Sequence, residues 1–430
     1  MSKKRKSGKR TERKVKAKEN KKIYMNLDFC IFAVLFIGVV AVTFTLFHRQ
    51  CVESMVGSGL YHSDMKAYIL EMQGLDSGYS FPYPVLFMLS AFWDLFVSPE
   101  MAVAIATTMF NALALLITKA ALNRLTLKEL TKGLKGNQVL AGAIISVVSV
   151  GLFFVSMLFT SPLKVYLPGI NYNYLGVFTA NPFHNATYMA ARPFAILAFL
   201  WYVKLLDSYE KKDAAAKYKG DYILFSLFLL ISTMTKPSFT IVLVGAAGLI
   251  MVYRLFASKF RNFKPTILLG LTFIPTFIDL LYQYKGVFVP EEGVEGGIGF
   301  CFGDIWGMYC GNIPFAIGLA IGFPLVVLIC NWEKIKTNTL YRFSWQIYLM
   351  SFAMAFLIYE KGFRAPDFNF SWGYMYGIFF AFVGAVVVFL RATAEKKRPL
   401  LLSLQWAAFG LHLLCGLYYF YGIFQGRMYY

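Results

Sequence analysis

Apolar residues in this chain come in near-continuous stretches of about twenty, not in the alternation of half-buried strands. Such runs cover residues 27–48, 100–121, 139–160, 188–206, 266–284, 313–331, 343–360, 373–390 and 400–421. A helix satisfies its own backbone hydrogen bonds, which lipid cannot do, so each run predicts a membrane-spanning helix. A β-barrel would show shorter, alternating segments. The expected fold class is therefore an all-α polytopic membrane protein.

Two stretches need a second argument. Residues 222–256 as one helix would be about 52 Å long, against a bilayer core of about 30 Å. Thr235-Lys236-Pro237-Ser238 stands at its middle, and proline breaks the helical ladder. Both flanks are basic, with Lys211, Lys212, Lys217 and Lys219 before and Arg254, Lys259, Arg261 and Lys264 after. Loops rich in Lys and Arg stay cytosolic, so the pattern predicts a hairpin of two short helices with Lys236-Pro237 at its outer tip. The second stretch is 82–97. If it crossed the bilayer, Lys119, Arg124, Lys128, Lys132 and Lys135 would fall outside, so it is expected to lie along the outer interface or dip into it. The expected total is about eleven transmembrane helices, with the N-terminus cytosolic and the C-terminus outside. The outer loops are then 49–99, 161–187, 235–238, 285–312 and 361–372, and the cytosolic loops are 119–138, 207–221, 254–264, 332–342 and 391–398.

Composition agrees. Charged residues make up 15% of the chain, where a soluble domain has about 25%. The net charge of +19 is concentrated at the start: residues 1–22 hold twelve Lys/Arg and two Glu. Such a block is expected to be disordered. Placed before a membrane span, it anchors the N-terminus in the cytosol and touches anionic lipid, so membrane lipids and not nucleic acid are the expected partners. The domain plan is a basic tail over 1–25 and one transmembrane domain over 26–430. Six cysteines are scattered without a CxxC pair. Cys301 and Cys310 share a loop and either bridge or stay free.

With the sides fixed, the polar residues sort themselves. His62, Asp64, Lys66, Glu71 and Asp76 fall in the first outer loop; Asn181, His184 and Asn185 in the second, with Arg192 just inside the following span. Lys236 is at the hairpin tip, Glu291, Glu292, Glu295 and Asp304 are in a Gly-rich loop, and Arg364 and Asp367 are in the last. Charges at membrane depth usually face a cavity or a partner, which singles out Arg192 and Lys236; the plain alternative is that both snorkel to the interface. Met65, Tyr68, Ile69 and Met72 follow helical spacing and predict an amphipathic interfacial helix. Ser63 or Asp64 would cap it, a role worth about 1 kcal/mol, so Asp64 is either a cap or a reactive carboxylate. His62 and His184 lack metal-ligand spacing. The Glu291–Glu295 cluster reads as a solvated face. Asn185-Ala186-Thr187 matches a glycosylation acceptor but lies against the span. The chain has no P-loop, no HExxH and no GxSxG, and Gly296-Gly297-Ile298-Gly299 follows no predicted strand.

His62-Ser63-Asp64, Tyr83-Pro84-Val85-Leu86-Phe87, Asn181-Pro182-Phe183-His184-Asn185, Arg192-Pro193 and Thr235-Lys236-Pro237-Ser238, in that order and on one side, resemble the GT-C superfamily of integral membrane glycosyltransferases. The likeness covers most of residues 27–260, a core over 100–260 included. The spans over 261–430 match only in general architecture. The resemblance implies transfer of a sugar, hexosyl or pentosyl and with inversion, from a polyprenyl-phosphate donor to a glycan, glycolipid or protein acceptor on the outer face. Asp64 would be the general base, with His62 assisting. Lys236, Arg192 and Arg364 would bind the lipid phosphate, and His184, Asn185 and Tyr83 would line the substrate site. Many relatives carry two neighbouring acids in the first outer loop. Here Glu71 is the nearest second acid, roughly two helical turns on, so the expectation is transfer without metal or cofactor. The likeness favours a bacterial plasma membrane and cell-envelope glycan biosynthesis over an ER-type membrane.

Two other classes compete. A transporter or flippase of a lipid-linked or polar solute would show internal repeats and midplane charge, whereas no repeat is visible and the charges gather toward one face. A polymerase or ligase of lipid-linked glycans would favour arginines in a large late outer loop, whereas 285–312 holds three Glu, one Asp and no Arg.

Overall fold

A computed structural model describes residues 2–158, 178–288, 297–362, 364–396 and 398–427. Glu291, Glu292 and Glu295, most of the second expected outer loop and the last three residues lie outside them. Helix α1 runs unbroken over Ser2–Val56. The basic block, expected to be disordered, is thus the helical start of the first span. Lys, Arg and Glu are good helix formers, and no proline interrupts them.

The chain continues through α2 (Met65–Met72), α3 (Val85–Asp94), α4 (Pro99–Gly133), α5 (Gln138–Leu152) and α6 (Ala186–Leu206). Then follow α7 (Lys219–Thr235), α8 (Ser238–Ala257), α9 (Phe263–Gly270) and α10 (Ile274–Phe288), the last two joined by one 3₁₀ turn. After a short strand β1 (Ile298–Phe300) come α11 (Asp304–Tyr309), α12 (Ile313–Ala320), α13 (Gly322–Cys330), α14 (Thr339–Leu357), β2 (Ile358–Glu360), α15 (Ser371–Glu395) and α16 (Pro399–Phe424). β1 and β2 pair antiparallel, Ile298 opposite Glu360.

Every expected crossing falls on helix. Among the described residues, seven helices are long and apolar enough to span a bilayer, eight if α12 and α13, bent by 72°, form one broken span. The other expected crossings fall on α5, α7 and α14, of 15, 17 and 19 residues, which do not meet the same measure of length and hydropathy. At 10 residues, α3 is about 15 Å long, too short to cross, as the charge pattern required. The hairpin breaks at Lys236-Pro237, as expected.

The core is organised around α15, whose apolar segment is buried on every side, as a helix apolar all round must be. Its closest neighbour is α14. Ser344 and Ser351 on α14, seven residues apart, oppose Gly384 and Gly377 on α15. A Cβ at Gly377 would lie 1.8 Å from Ser351 Oγ, and one at Gly384 2.0 Å from Ser344 Oγ. Small residues at heptad spacing let the two backbones approach, which is how helices associate where lipid gives no hydrophobic drive. The bend between α12 and α13 is held by buried His412. Its Nε2 accepts from Phe323 N–H at 3.0 Å, so Nδ1 carries the proton and donates to Ser156 C=O at 2.7 Å. That bond satisfies one of the N–H groups the start of α13 leaves unpaired.

The loops gather at two ends. At one, Asp64, Asn185, Lys236 and the first turn of α15 converge. At the other, Lys204 pairs with Asp221, Thr339 with Asp207 and Lys334 with Glu395. These are the two groups of loops that the charge pattern separated.

Gly377→Ala and Gly384→Ala should each destabilise the detergent-solubilised protein by about 1–3 kcal/mol through overpacking, read as a lower apparent Tm. Gly410→Ala, where an added Cβ meets open space, should leave Tm unchanged or raise it.

Candidate active site

Asp64 opens α2. It occupies the N-cap position, yet its side chain caps nothing. Ser63 Oγ accepts instead, from Met65 N–H at 3.4 Å. The Asp64 carboxylate turns toward the second loop, where Asn185 Nδ2 donates to Oδ2 at 2.6 Å and the Tyr68 hydroxyl to the same oxygen at 3.5 Å. Main-chain geometry fixes the approach: Asp64 N–H donates to His184 C=O at 3.1 Å.

Asn185 caps α6 by accepting from Tyr188 N–H at 2.8 Å. Its Oδ1 also accepts from Thr187 Oγ1 at 2.9 Å and from Lys236 Nζ at 3.4 Å, and its Nδ2 donates to Tyr68 Oη at 2.7 Å as well as to Asp64. Both amide hydrogens and the amide oxygen are thus engaged. With an N–H and an ammonium on one side and a carboxylate on the other, only one amide orientation fits. The residue is buried, so the acceptor motif Asn185-Ala186-Thr187 is not presented for glycosylation.

Lys236 arrives from the break between α7 and α8. Its ammonium donates to Thr187 Oγ1 at 3.0 Å and lies 4.6 Å from the Trp372 ring centre and 6.0 Å from that of Tyr83. Burial lowers its pKa to about 8, with the Arg364 charge pushing the same way and Asp64 opposing. Asp64 is half-buried. Burial raises its carboxyl pKa, and the Asn185 hydrogen bond, the Lys236 charge and the Tyr68 hydroxyl only partly offset this. His184, with its ring 5.6 Å from Trp372, is held neutral by burial and by Lys236, its pKa near 3.

Beside this cluster opens a cleft of about 570 Å³, lined by Glu71, Ser80 to Pro84, Tyr282 and Lys285. Tyr83 belongs to both cleft and cluster. Arg364 reaches the same corner from the other half of the chain, its guanidinium 5.8 Å from the Tyr79 ring centre and paired with Glu360 and Asp367.

Two sequence candidates stand elsewhere. Arg192 is fully buried but does not face Asp64 or Lys236. Its Nη1 donates to Asn181 Oδ1 at 2.9 Å, and its guanidinium sits 5.0 to 5.4 Å from the rings of Phe153, Phe379 and Tyr188. Among the described residues it has no acidic partner. His62 makes no hydrogen bond to the Asp64 carboxylate, and its Nε2 is buried without a hydrogen-bond partner. Conversely, Tyr68, Thr187 and Trp372 belong to the cluster but were not named as site residues from sequence. Tyr68, four residues after Asp64 on a helix, and Thr187, two after Asn185, carry a local signal; Trp372 carries none. Among the described residues no three His, Cys, Asp or Glu side chains gather as a metal-ligand group. Cys301 and Cys310 are separate, free thiols. No protein-family model matches the chain, and no curated protein matches its sequence.

The raised pKa of Asp64 has a stability consequence. The folded state holds this proton more tightly than the unfolded state, so the group's contribution is intact below the ordinary value of 3.8 and is lost as pH rises through the folded value. Asp64→Asn, which keeps the shape and removes the charge, should therefore raise Tm at pH 7 and flatten the fall in Tm as pH rises above the ordinary carboxylate value. Thermal scans across that range test it; a lower Tm at pH 7 would show that the ionised carboxylate is net stabilising.

Proposed function

We propose that the protein is an inverting membrane glycosyltransferase that moves a sugar from a polyprenyl-phosphate carrier to an acceptor hydroxyl, at the membrane face where Asp64 and Lys236 meet. The observation that carries this reading is the division of labour within the Asp64 carboxylate. Asn185 and Tyr68 both engage Oδ2, which leaves Oδ1 without a protein partner among the described residues. A carboxylate held by one oxygen and open at the other is arranged to accept a proton from something that is not protein. Its raised pKa makes it a better base for a sugar hydroxyl than a solvated aspartate.

In the proposed step, Oδ1 takes the acceptor proton as the acceptor oxygen bonds to the anomeric carbon. The bond from that carbon to the carrier phosphate breaks, and the phosphate leaves with the electron pair. Lys236 supplies a fixed positive charge for that leaving group, and Arg364 strengthens the local positive field. The cleft, lined by Phe81, Pro82, Tyr83, Pro84 and Tyr282 with Glu71, Ser80 and Lys285 among them, offers a partly apolar approach in which an isoprenoid chain could lie with its phosphate toward Lys285 and Lys236. Arg192, caged by rings, has no part in phosphate binding. With the basic loops inside, this chemistry would lie on the outer face of the plasma membrane.

The test is transfer by purified protein in vesicles supplied with labelled polyprenyl-phosphate sugars. Asp64→Asn should lower kcat at least 100-fold while keeping a monodisperse, folded protein; full activity in that variant would remove Asp64 from the base role. Because the Lys236 ammonium titrates near 8, KM for the donor should rise as pH climbs through that value. Lys236→Arg, which stays charged, should move that limb upward in pH, and an unmoved limb would exclude Lys236 as the phosphate contact.

A further inference from the structure

At the opposite end of the molecule, α8 and α14 pack with a groove of about 580 Å³ between them. Its wall on α14 is one helical stripe: Arg342, Gln346, Leu349, Met350 and Ala353 all line it, at spacings of four, three, one and three residues. Its wall on α8 mirrors this order, since Ala246, Leu249, Ile250, Tyr253 and Arg254 recur at the same helical period and the helices run antiparallel. Both arginines therefore stand at one end and the apolar residues extend away from them. From Arg342 to Ala353 the stripe is about 16 Å long. Leu249, Tyr253 and Leu349 at its rim are exposed.

Polar groups at the arginine end are incompletely used. Gln346 lines the groove, and its buried Oε1 has no hydrogen-bond partner. Arg254 donates through Nη1 to Leu206 C=O and pairs with Glu210, whereas Arg342 bonds to Ile335 C=O, Lys336 C=O and Thr339. These anchors hold two guanidinium groups at the groove mouth while one carboxylate, Glu210, balances them.

We propose that this groove is a binding site for a phospholipid with an anionic headgroup, its phosphate between Arg254 and Arg342, a headgroup hydroxyl on Gln346 and an acyl chain along Leu349, Met350 and Ala353. Two cations at the mouth of an apolar trough select an anion with a hydrocarbon tail, and the trough is too apolar for a free sugar or nucleotide. Arginine rather than lysine at both positions suits bidentate contact with phosphate oxygens. The site is independent of the Asp64 cluster and of the activity proposed for it.

The experiment is native mass spectrometry and thermal unfolding of delipidated, detergent-solubilised protein. The probes are phosphatidylglycerol and phosphatidylcholine with the same acyl chains, and glycerol 3-phosphate as headgroup without tails. Phosphatidylglycerol should be retained as a one-to-one adduct and raise Tm, phosphatidylcholine should bind about tenfold more weakly or worse, and glycerol 3-phosphate should do neither. Arg254→Gln combined with Arg342→Gln should erase the preference between the two lipids. Ala353→Trp, which fills the trough and leaves the arginines in place, should lose both adducts and serves if the double variant does not fold. Equal retention of the two lipids by the unaltered protein, wild-type lipid binding by Ala353→Trp, or a concentration-dependent dimer that Ala353→Trp dissolves would each overturn the proposal.

Discussion

The Asn185 side-chain amide is the joint on which the polar end of this protein depends. It sits between a carboxylate and an ammonium that have no direct ion pair, donating to one and accepting from the other while closing the first turn of α6. A direct Asp64–Lys236 pair would neutralise both groups and leave neither for a substrate. An interposed amide keeps each charge partly solvated by protein, at fixed separation, with its own unshared face. Burying two charges in this way is costly unless every neighbouring lone pair and hydrogen is used, and Asn185 uses all of its own. The cost that remains is visible in the perturbed pKa values of Asp64 and Lys236, and such perturbation concentrates where a chain has chemistry to do.

Helix architecture brings this joint about. The three polar groups of the cluster, Asp64, Asn185 and Lys236, arrive from α2, from the start of α6 and from the break between α7 and α8, and all three are helix ends. An end offers unpaired backbone groups, so Asn185 can cap and bridge at once, and Asp64 can occupy a cap position while spending its side chain elsewhere. Pro237 contributes by ending α7 where it does: without that break Lys236 would be one more position on a long helix, and its ammonium would not reach Thr187.

Much of this was legible in the chain. Lys236-Pro237 between two basic flanks, the Met65–Tyr68–Ile69 face of α2 and the short, non-crossing α3 follow from period, length and charge, quantities that local sequence carries. What sequence left open was of a different kind. Whether Asp64 caps α2 or faces a substrate depends on Asn185, 121 residues away, and no local pattern encodes that distance. The basic block of residues 1–25 was expected to be disordered because like charges repel; in the structure the helix of the first span simply extends back through it. The β1–β2 ladder is three residues a strand, too short for alternation to register. The break between α12 and α13 rests on His412, a residue that looks like any other polar position in an apolar run.

Arg192 and Lys236 show why charge at membrane depth alone does not identify a site. Sequence treats the two alike, since both are cations in or beside a span facing the same side. The structure separates them by their surroundings. Lys236 has two hydroxyl or amide acceptors and an aromatic face beside an open cleft. Arg192 has three ring faces, the Met189 sulfur and one amide, each desolvated ring contact being worth up to about 2 kcal/mol, and is fully buried. Ring faces compensate the burial of such a cation without an acidic partner. Arg192 does hold Asn181, whose Nδ2 donates to Leu152 C=O and Val155 C=O at the end of α5. Asn181 lies four residues before Asn185. Arg192 therefore bears on the site through the backbone it pins: by holding Asn181 against the end of α5, it helps fix where the amide between Asp64 and Lys236 stands.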